Sequence, residues 1–144
     1  MTILRMDHVG VNVEDLDAAV AFFTELGMVQ EDSASIEGPW VDRVNGIDGV
    51  RVDIAMLRTP DGHGRLELTK FRSPAATGGG AEPPNTRGLR SIMFAVDDVD
   101  DTVVRLRDHG GELVGEIAQY EDAYRLCYVR GPAGIIVALA EPLG

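Results

Sequence analysis

Two stretches of this chain repeat each other without a gap. The first, DHVGVNVEDLDAAVAFFTELG, runs over residues 7–27, and the second, RSIMFAVDDVDDTVVRLRDHG, runs over residues 90–110. Acidic residues and glycines fall on each other in the match, whereas His8 falls on Ser91. A long repeat that is present in only two copies indicates a duplicated unit rather than a solenoid. The chain is therefore predicted to hold two copies of one fold.

Each copy has the periodicity of a strand, a helix and three further strands. In the first copy, the alternating pattern ILRMDHVGVNV precedes the helical spacing of EDLDAAVAFFTELG, where Asp15 suits the N-cap and Gly27 ends the helix. MVQEDSAS, VRVDIAMLR and RLELTKF then alternate as strands. The second copy repeats this order with LRSIMFAV, DDVDDTVVRLRDHG, ELVGEIAQY, AYRLCYVR and IIVALAEP. We predict an α+β protein of two tandem βαβββ units, residues 1–72 and 88–144, joined by a Gly- and Pro-rich linker over residues 73–87.

The duplication also predicts which face of each sheet lies under the helix. Bulky apolar residues at matching positions are expected on the helix side, including Met56 and Tyr128 on the third strands. The opposite faces then carry small, polar and charged residues. They are His8, Gly10, Asn12, Asp53, Ala55, Arg65, Glu67 and Thr69 in the first unit, and Ser91, Met93, Ala95, Arg125, Cys127, Ile136 and Ala138 in the second. Such a mixture suits a ligand cavity better than a packed core.

The composition narrows the range of partners. The formal net charge is −11, and an acidic surface repels phosphate backbones, so we expect no nucleic-acid partner. No apolar stretch approaches the roughly 20 residues of a membrane helix, and the start MTILRMDH does not have the pattern of a signal peptide. The single cysteine, Cys127, cannot form an intrachain disulfide and fits a reducing compartment. We therefore expect a cytoplasmic protein without a membrane partner.

The paired units, the opening DHVGVNVEDLDAAVAFFTELG and the closing RGPAGIIVALAE together resemble the vicinal oxygen chelate superfamily. That superfamily includes glyoxalase I, extradiol dioxygenases, methylmalonyl-CoA epimerase, and the fosfomycin- and bleomycin-resistance proteins. The resemblance covers nearly the whole chain, and it implies the glyoxalase-like fold, an eight-stranded half-open barrel with a small-molecule ligand. The family pairs units within a chain or between chains, and 144 residues hold only two units, so it also implies a homodimer. It does not specify the reaction, because the superfamily carries many chemistries on one scaffold.

The resemblance further implies where a metal would be held. Metal-dependent members take ligands from the first and last strand of each unit, and these positions are His8 and Glu67 in the first unit. In the second unit they are Ser91 and Ala138, where the family often has His and Glu, so half of the ligand set is missing. A divalent metal such as Zn, Ni, Mn or Fe would then need a further ligand, and otherwise the cavity has no cofactor. Candidates for that ligand are Glu121, Tyr124 and His63.

Glu67 and His8 are the candidate catalytic residues. A carboxylate between two leucines on an inward face needs a partner or a raised pKa, and either suits a general base. The alternative is that Glu67 forms an ion pair with Arg65 or Arg125. Asp53 and Arg125 are expected to pair across the cavity, as scaffold or as substrate ligands.

The other candidates line or cover the predicted cavity. Trp40 lies in the polar loop EGPWVDRVNGIDG, which has no counterpart in the second unit. It either closes over a ligand or packs the loop against the sheet. The predicted substrate-binding residues are Asn12, Trp40, Asp53, Arg65, Ser91, Met93, Arg125 and Ala138.

Three functions are compatible with these residues. The first is a lyase or isomerase resembling glyoxalase or the epimerases, in which Glu67 moves a proton next to a carbonyl group while His8, Arg125 or a weakly held metal stabilises the enolate. The second is a metal-free binding or resistance protein resembling the bleomycin-resistance members, with Trp40, Arg125 and Met93 in its pocket. The third is an extradiol dioxygenase, which is disfavoured because Ser91 stands where a second His is expected.

Overall fold

The computed structural model describes residues 2–144, which form two compact units. The first unit ends at Thr77, and the second covers Gly78–Gly144. Each unit has its own open mixed sheet and its own long helix, so the predicted α+β class and the tandem strand–helix–strand order are confirmed. Within the described residues, no helix is long and apolar enough to cross a membrane.

The first unit is a four-stranded sheet with one helix that was predicted and one that was not. Its elements are β1 (Val9–Asn12), α1 (Leu16–Leu26), β2 (Val29–Glu37), α2 (Pro39–Asn45), β3 (Arg51–Arg58) and β4 (Arg65–Ser73). β1 lies parallel to β4, and β3 pairs antiparallel with both β4 and β2, which gives the order β1-β4-β3-β2. The parallel pairing of β1 with β4 brings the first and last strands of the unit side by side.

α1 begins and ends at the residues that the sequence indicates. Asp15 Oδ1 accepts a hydrogen bond from the backbone N–H of Ala18 at 3.0 Å, which satisfies a donor that the helix itself leaves free. Gly27 ends the helix with a φ of 123°, a conformation that glycine adopts without steric cost. Phe22 and Phe23 of this helix are fully buried, with their rings edge to face.

The second unit repeats this plan with a shorter second strand. Its elements are β5 (Ser91–Ala95), α3 (Val99–Arg107), β6 (Glu112–Leu113), β7 (Ala118–Tyr120), β8 (Tyr124–Arg130) and β9 (Ile136–Pro142). The sheet order is β5-β9-β8-β6, and β7 also pairs with β8. The stretch predicted as one strand, ELVGEIAQY, is thus divided into β6 and β7. The interruption contains Gly115, and glycine weakens a strand because it has no side chain to pack.

The third strand of the first unit, β3, faces opposite to the prediction. Residues in register on neighbouring strands share a face, and Met56 pairs with Glu67 while Ala55 pairs with Leu68. The Leu68 side is the α1 side, since Lys70 on the same face donates a hydrogen bond to the carbonyl of Glu14, just before the helix, at 2.7 Å. Met56 therefore lies on the face of Glu67, and Ala55 lies under the helix.

The same correction applies to β8 in the second unit. Tyr128 pairs with Ala138 and faces away from α3, whereas Cys127 pairs with Leu139 on the α3 side. Cys127 and Ala55 are both buried, at 4% and 2% exposure. Leu57 and Val129, which are almost completely buried, lie on the same helix side two residues from Ala55 and Cys127, so Met56 and Tyr128 between them point to the other side. The size rule used in the prediction, bulky residues under the helix, fails at these positions.

α2 forms within the stretch predicted to be an irregular loop. Its Val41 packs on Val50 and Val52, with Ile54 and Phe71 against the same cluster. These strand residues share the face of Glu67, so α2 covers one end of the face that α1 leaves open. Trp40 itself is 54% exposed, so the packing of this segment depends on Val41 rather than on the tryptophan.

Candidate functional site

His8 and Glu67 meet on the open face of the first sheet. Glu67 lies in register with Gly10, and His8 stands two residues earlier on the same side of the chain. His8 Nε2 lies 3.6 Å from Glu67 Oε2, and about a third of each side chain is exposed. The predicted placement of these two residues on one face is confirmed, and the roles predicted for them remain predictions.

Two neighbours hold this pair in position. Asp7 Oδ2 lies 2.8 Å from His8 Nδ1, so the imidazole stands between two carboxylates. Thr69 Oγ1 donates a hydrogen bond to Glu67 Oε1 at 3.4 Å. The hydrogen bond from His8, with a smaller contribution from Arg5, holds the pKa of Asp7 below its usual value. Asp7 is not among the site residues predicted from the sequence, although its position directly before His8 in DHVGV was a usable signal.

The other candidates of the first unit are divided between the two faces. Asn12 and Arg65 lie on the open face, as predicted. Arg65 Nε lies 3.0 Å from Glu31 Oε1, so the partner found for Arg65 is Glu31 rather than Glu67. Asp53 was predicted on the open face, and that placement is wrong, because its register partner Lys70 lies on the α1 side.

The contacts of Asp53 explain its position. Ser35 Oγ donates a hydrogen bond to Asp53 Oδ1 at 2.7 Å, and Arg72 Nε lies 3.8 Å from Asp53 Oδ2. Both partners come from neighbouring strands of the same sheet. The carboxylate thus stabilises strand pairing on the helix side, and the predicted pairing of Asp53 with Arg125 is wrong.

Arg125 also lies on the helix side of its sheet, contrary to the prediction. Its guanidinium forms an ion pair with Asp100 of α3, and its register partner Glu141 accepts a hydrogen bond from the backbone N–H of Val99 at 2.8 Å. The hydrogen bond between Arg125 and Asp100 lowers the pKa of the carboxyl and raises the pKa of the guanidinium. Arg125 therefore cannot stabilise an enolate on the open face.

We expect Arg125→Ala to raise the pKa of Asp100 toward the ordinary value, because the charge-assisted hydrogen bond is lost. The folded-state pKa is the lowered one, so the ion pair stabilises the fold above the unfolded pKa and loses that contribution as the pH falls through the folded pKa. Carboxyl carbon NMR titration of Asp100 measures the change. Arg72→Ala, which alters a similar arginine in the first unit, is the control and should leave Asp100 unchanged.

The open face of the second sheet carries Ser91, Met93 and Ala138 together. Ser91 pairs with Ile136 and Met93 with Ala138, so their predicted placement on one face is confirmed. Ala138 is almost completely buried, whereas Met93 is 57% exposed. Cys127, predicted on this face, lies instead on the α3 side, where burial raises the pKa of its thiol.

Three tyrosines lie on this second face, although Tyr128 was predicted on the helix side and Tyr124 as a possible metal ligand. Tyr124 and Tyr128 lie on it by register with β9, and Tyr120 pairs with Tyr124. The rings of Tyr120 and Tyr124 are stacked with centroids 5.8 Å apart, and all three side chains are exposed. The regular alternation in AYRLCYVR was the available signal, but it was assigned to the wrong side. Exposed aromatic rings of this kind can stack on planar ligands.

A divalent metal, which the resemblance implies, does not fit the donors present. His8 and Glu67 supply one nitrogen and one carboxylate, and the matching positions of the second unit are Ser91 and Ala138. Among residues 2–144, no group of three or more His, Cys, Asp or Glu side chains could hold a metal ion. The suggestion that Glu121 or His63 completes a ligand set is therefore wrong. A catalytic zinc usually needs three protein ligands, and this set does not provide them.

Comparison with known proteins agrees with this fold. Residues 5–139 match the family model described as Glyoxalase/Bleomycin resistance protein/Dioxygenase superfamily. A glyoxalase family protein of Bacillus cereus has a crystal structure that superposes with a TM-score of 0.96, at 49% identity over 100% of this chain and 97% of that one. YwbC of Bacillus subtilis is 27% identical over 133 residues, 90% of this chain and 91% of its own.

A more distant structure shares only the fold. TnmS3, an antibiotic binding protein from a Streptomyces species, superposes with a TM-score of 0.59 at 22% identity, over 99% of this chain and 98% of that one. The glyoxalase-like fold predicted from the sequence is confirmed by these superpositions.

Proposed function

Because this chain belongs to the Glyoxalase/Bleomycin resistance protein/Dioxygenase superfamily, we propose that it is a lyase or isomerase that moves a proton next to a carbonyl group of a small molecule. Glu67 is the base and His8 the hydrogen-bond donor. The proposal rests on one observation, the contact between Glu67 Oε2 and His8 Nε2 at 3.6 Å on an open face. Two titratable groups this close can act on adjacent atoms of one substrate.

The geometry suits proton transfer in the following way. Glu67 takes the proton from the carbon beside the carbonyl, and the C–H electrons form a carbon–carbon double bond. The carbonyl π electrons move to the oxygen, which receives a hydrogen bond or a proton from His8 Nε2. When the donor carbon carries a hydroxyl group, His8 Nε2, having given its proton to the carbonyl oxygen, takes the proton of that hydroxyl. A new carbonyl forms there while Glu67 returns its proton to the former carbonyl carbon, which gives an isomer. Return of the proton to the original carbon regenerates the substrate. Asp7 holds the imidazole ring in position through Nδ1.

Uncharged carbonyl compounds are the favoured substrates. The pair is flanked by the carboxylate of Asp7, and the chain has a net charge of −11, so an anionic ligand would be repelled. The metal ligand set is incomplete and Arg125 is committed to Asp100, so no step depends on a metal or on that arginine. This leaves His8 as the group that stabilises the developing oxyanion.

The function is tested by hydrogen–deuterium exchange at the carbon next to the carbonyl. Methylglyoxal, dihydroxyacetone and acetoin are incubated with the protein in D₂O, and the loss of the α-proton signal is followed by ¹H NMR. We expect exchange above the buffer rate for at least one compound. A protein that binds a compound without accelerating its exchange would contradict the catalytic proposal.

A second candidate function is metal-free binding of a planar small molecule. The observation that favours it is the exposed, stacked pair of Tyr120 and Tyr124, with Tyr128 and Met93 on the same face. Aromatic side chains that stack on a ligand supply affinity without any chemistry. Binding without α-proton exchange separates this function from the first.

The proposal includes assembly as a homodimer. Ile3, Leu4 and Met6 near the N-terminus are at least 77% exposed, and apolar side chains grouped in this way suit a protein contact. We expect sedimentation velocity at tens of micromolar to give the mass of a dimer. A monomer over that range would contradict the proposal.

A further inference from the structure

Gly10 is the one glycine inside a strand among residues 2–144, and nothing in its own conformation requires glycine. Its φ lies outside the left-handed region, in contrast to Gly27 at the end of α1. A methyl group at position 10 would have no atom within 4 Å. Backbone strain and close packing are the two usual structural reasons for glycine in a strand, and neither applies here.

Two other glycines, Gly111 and Gly134, are needed because the fold leaves no space for a side chain. A methyl group on Gly111 would approach the carbonyl oxygen of Leu106 to 3.0 Å, and one on Gly134 would approach the backbone of Gly80 to 2.3 Å. Those glycines permit close contacts within the fold. The space beside Gly10 is instead open, although glycine weakens a strand relative to alanine.

The open space lies beside the proposed acid–base pair. Gly10 is the register partner of Glu67, and it stands between His8 and Asn12 on the same face. A side chain at position 10 would therefore project alongside the Glu67 carboxylate. We infer that Gly10 is a specificity-determining residue, whose missing side chain leaves room for the reacting carbon of the substrate and its substituent.

This inference rests on the proposed function for the identity of the ligand, but the space can be tested by binding alone. Gly10→Ala and Gly10→Val are compared with the unaltered protein by saturation-transfer NMR with dihydroxyacetone and acetoin, together with the exchange assay. We expect about tenfold weaker binding in Gly10→Ala and loss of binding in Gly10→Val, since a group added where the ligand must lie typically changes affinity by tenfold or more. The loss should be greater for acetoin, which carries a methyl group on each side of its functional carbons.

Thermal melts show whether the variants fold. Tm is expected to be unchanged or higher in both, because either residue restricts the unfolded chain more than glycine does and meets no neighbour here. Gly115→Val is the matched control, since position 115 is also open and outside the left-handed region, but lies in the second unit and outside any strand. It should bind both compounds as the unaltered protein does.

The role of Gly10 and the proposed function can each fail while the other stands. If the unaltered protein exchanges the α-proton and Gly10→Val binds equally well, the role of Gly10 is overturned and the proposed function stands. If the unaltered protein binds without exchange and Gly10→Val loses binding, the role of Gly10 is supported and the catalytic proposal fails. If the unaltered protein binds neither compound and exchanges none of the three, both are overturned.

Discussion

Glu67→Gln is expected to lower the rate of α-proton exchange by about 10²–10⁴-fold, the usual contribution of a positioned general base. The amide keeps the shape of the side chain and can still accept the hydrogen bond from Thr69 Oγ1, but it cannot take a proton from carbon. The rate is measured by ¹H NMR in D₂O with the compound that the unaltered protein exchanges fastest. Binding of that compound should change much less than the rate.

Glu31→Gln is the matched control for this variant. Glu31 belongs to the same sheet and forms its ion pair with Arg65 rather than with His8. It should exchange the substrate at the rate of the unaltered protein, with a similar Tm. If Glu67→Gln retained full exchange while folding normally, Glu67 would not be the base and the proposed mechanism would be wrong.

Leu106→Ala is expected to lower the free energy of unfolding of the second unit by about 2–5 kcal/mol. Leu106 lies on α3 and is completely buried, so the truncation removes apolar contacts and leaves a cavity between the helix and its sheet. Urea denaturation followed by circular dichroism measures the loss as a lower transition midpoint. A loss of this size is a large fraction of the stability of a typical domain.

Leu89→Ala makes the same chemical change at an exposed position of the same unit. The side chain of Leu89 is 71% exposed, so we expect a change within about 0.5 kcal/mol. Equal losses in the two leucine variants would contradict the packing of α3 on the sheet.

Much of the fold could be predicted because the chain carries it in duplicate. Matching strand and helix patterns in the two copies support each other, and the capping residue Asp15 and the helix-ending Gly27 act through short-range contacts. The first and last strands of the first unit, β1 and β4, pair with each other. This pairing brings His8 close to Glu67. The strand patterns and helix ends depend on residues near in sequence, whereas the pairing of β1 with β4 joins residues far apart in the chain.

The wrong placements of side chains all concern which face of a third strand a side chain lies on, and they have a different physical origin. A strand with an alternating sequence can place either set of alternate side chains under the helix. A shift of one residue in this assignment moves every side chain of the strand to the opposite face of the sheet. Ala55 and Cys127 lie under the helices together with the larger Leu57 and Val129, and the same alternation places Asp53 and Arg125 on the helix side. The size of a single residue therefore does not determine which face of a strand the helix covers.

By itself, then, the sequence determined two βαβββ units, their helix ends, and the presence of a histidine and a carboxylate on the first and last strands of the first unit. Tertiary structure decided which side of each third strand is open, that α2 forms by packing Val41 on the sheet, and that Asp7 holds His8. The first set depends on periodicity and capping, which act over a few residues. The second depends on the distances between packed elements, and only the assembled sheets and helices define those distances.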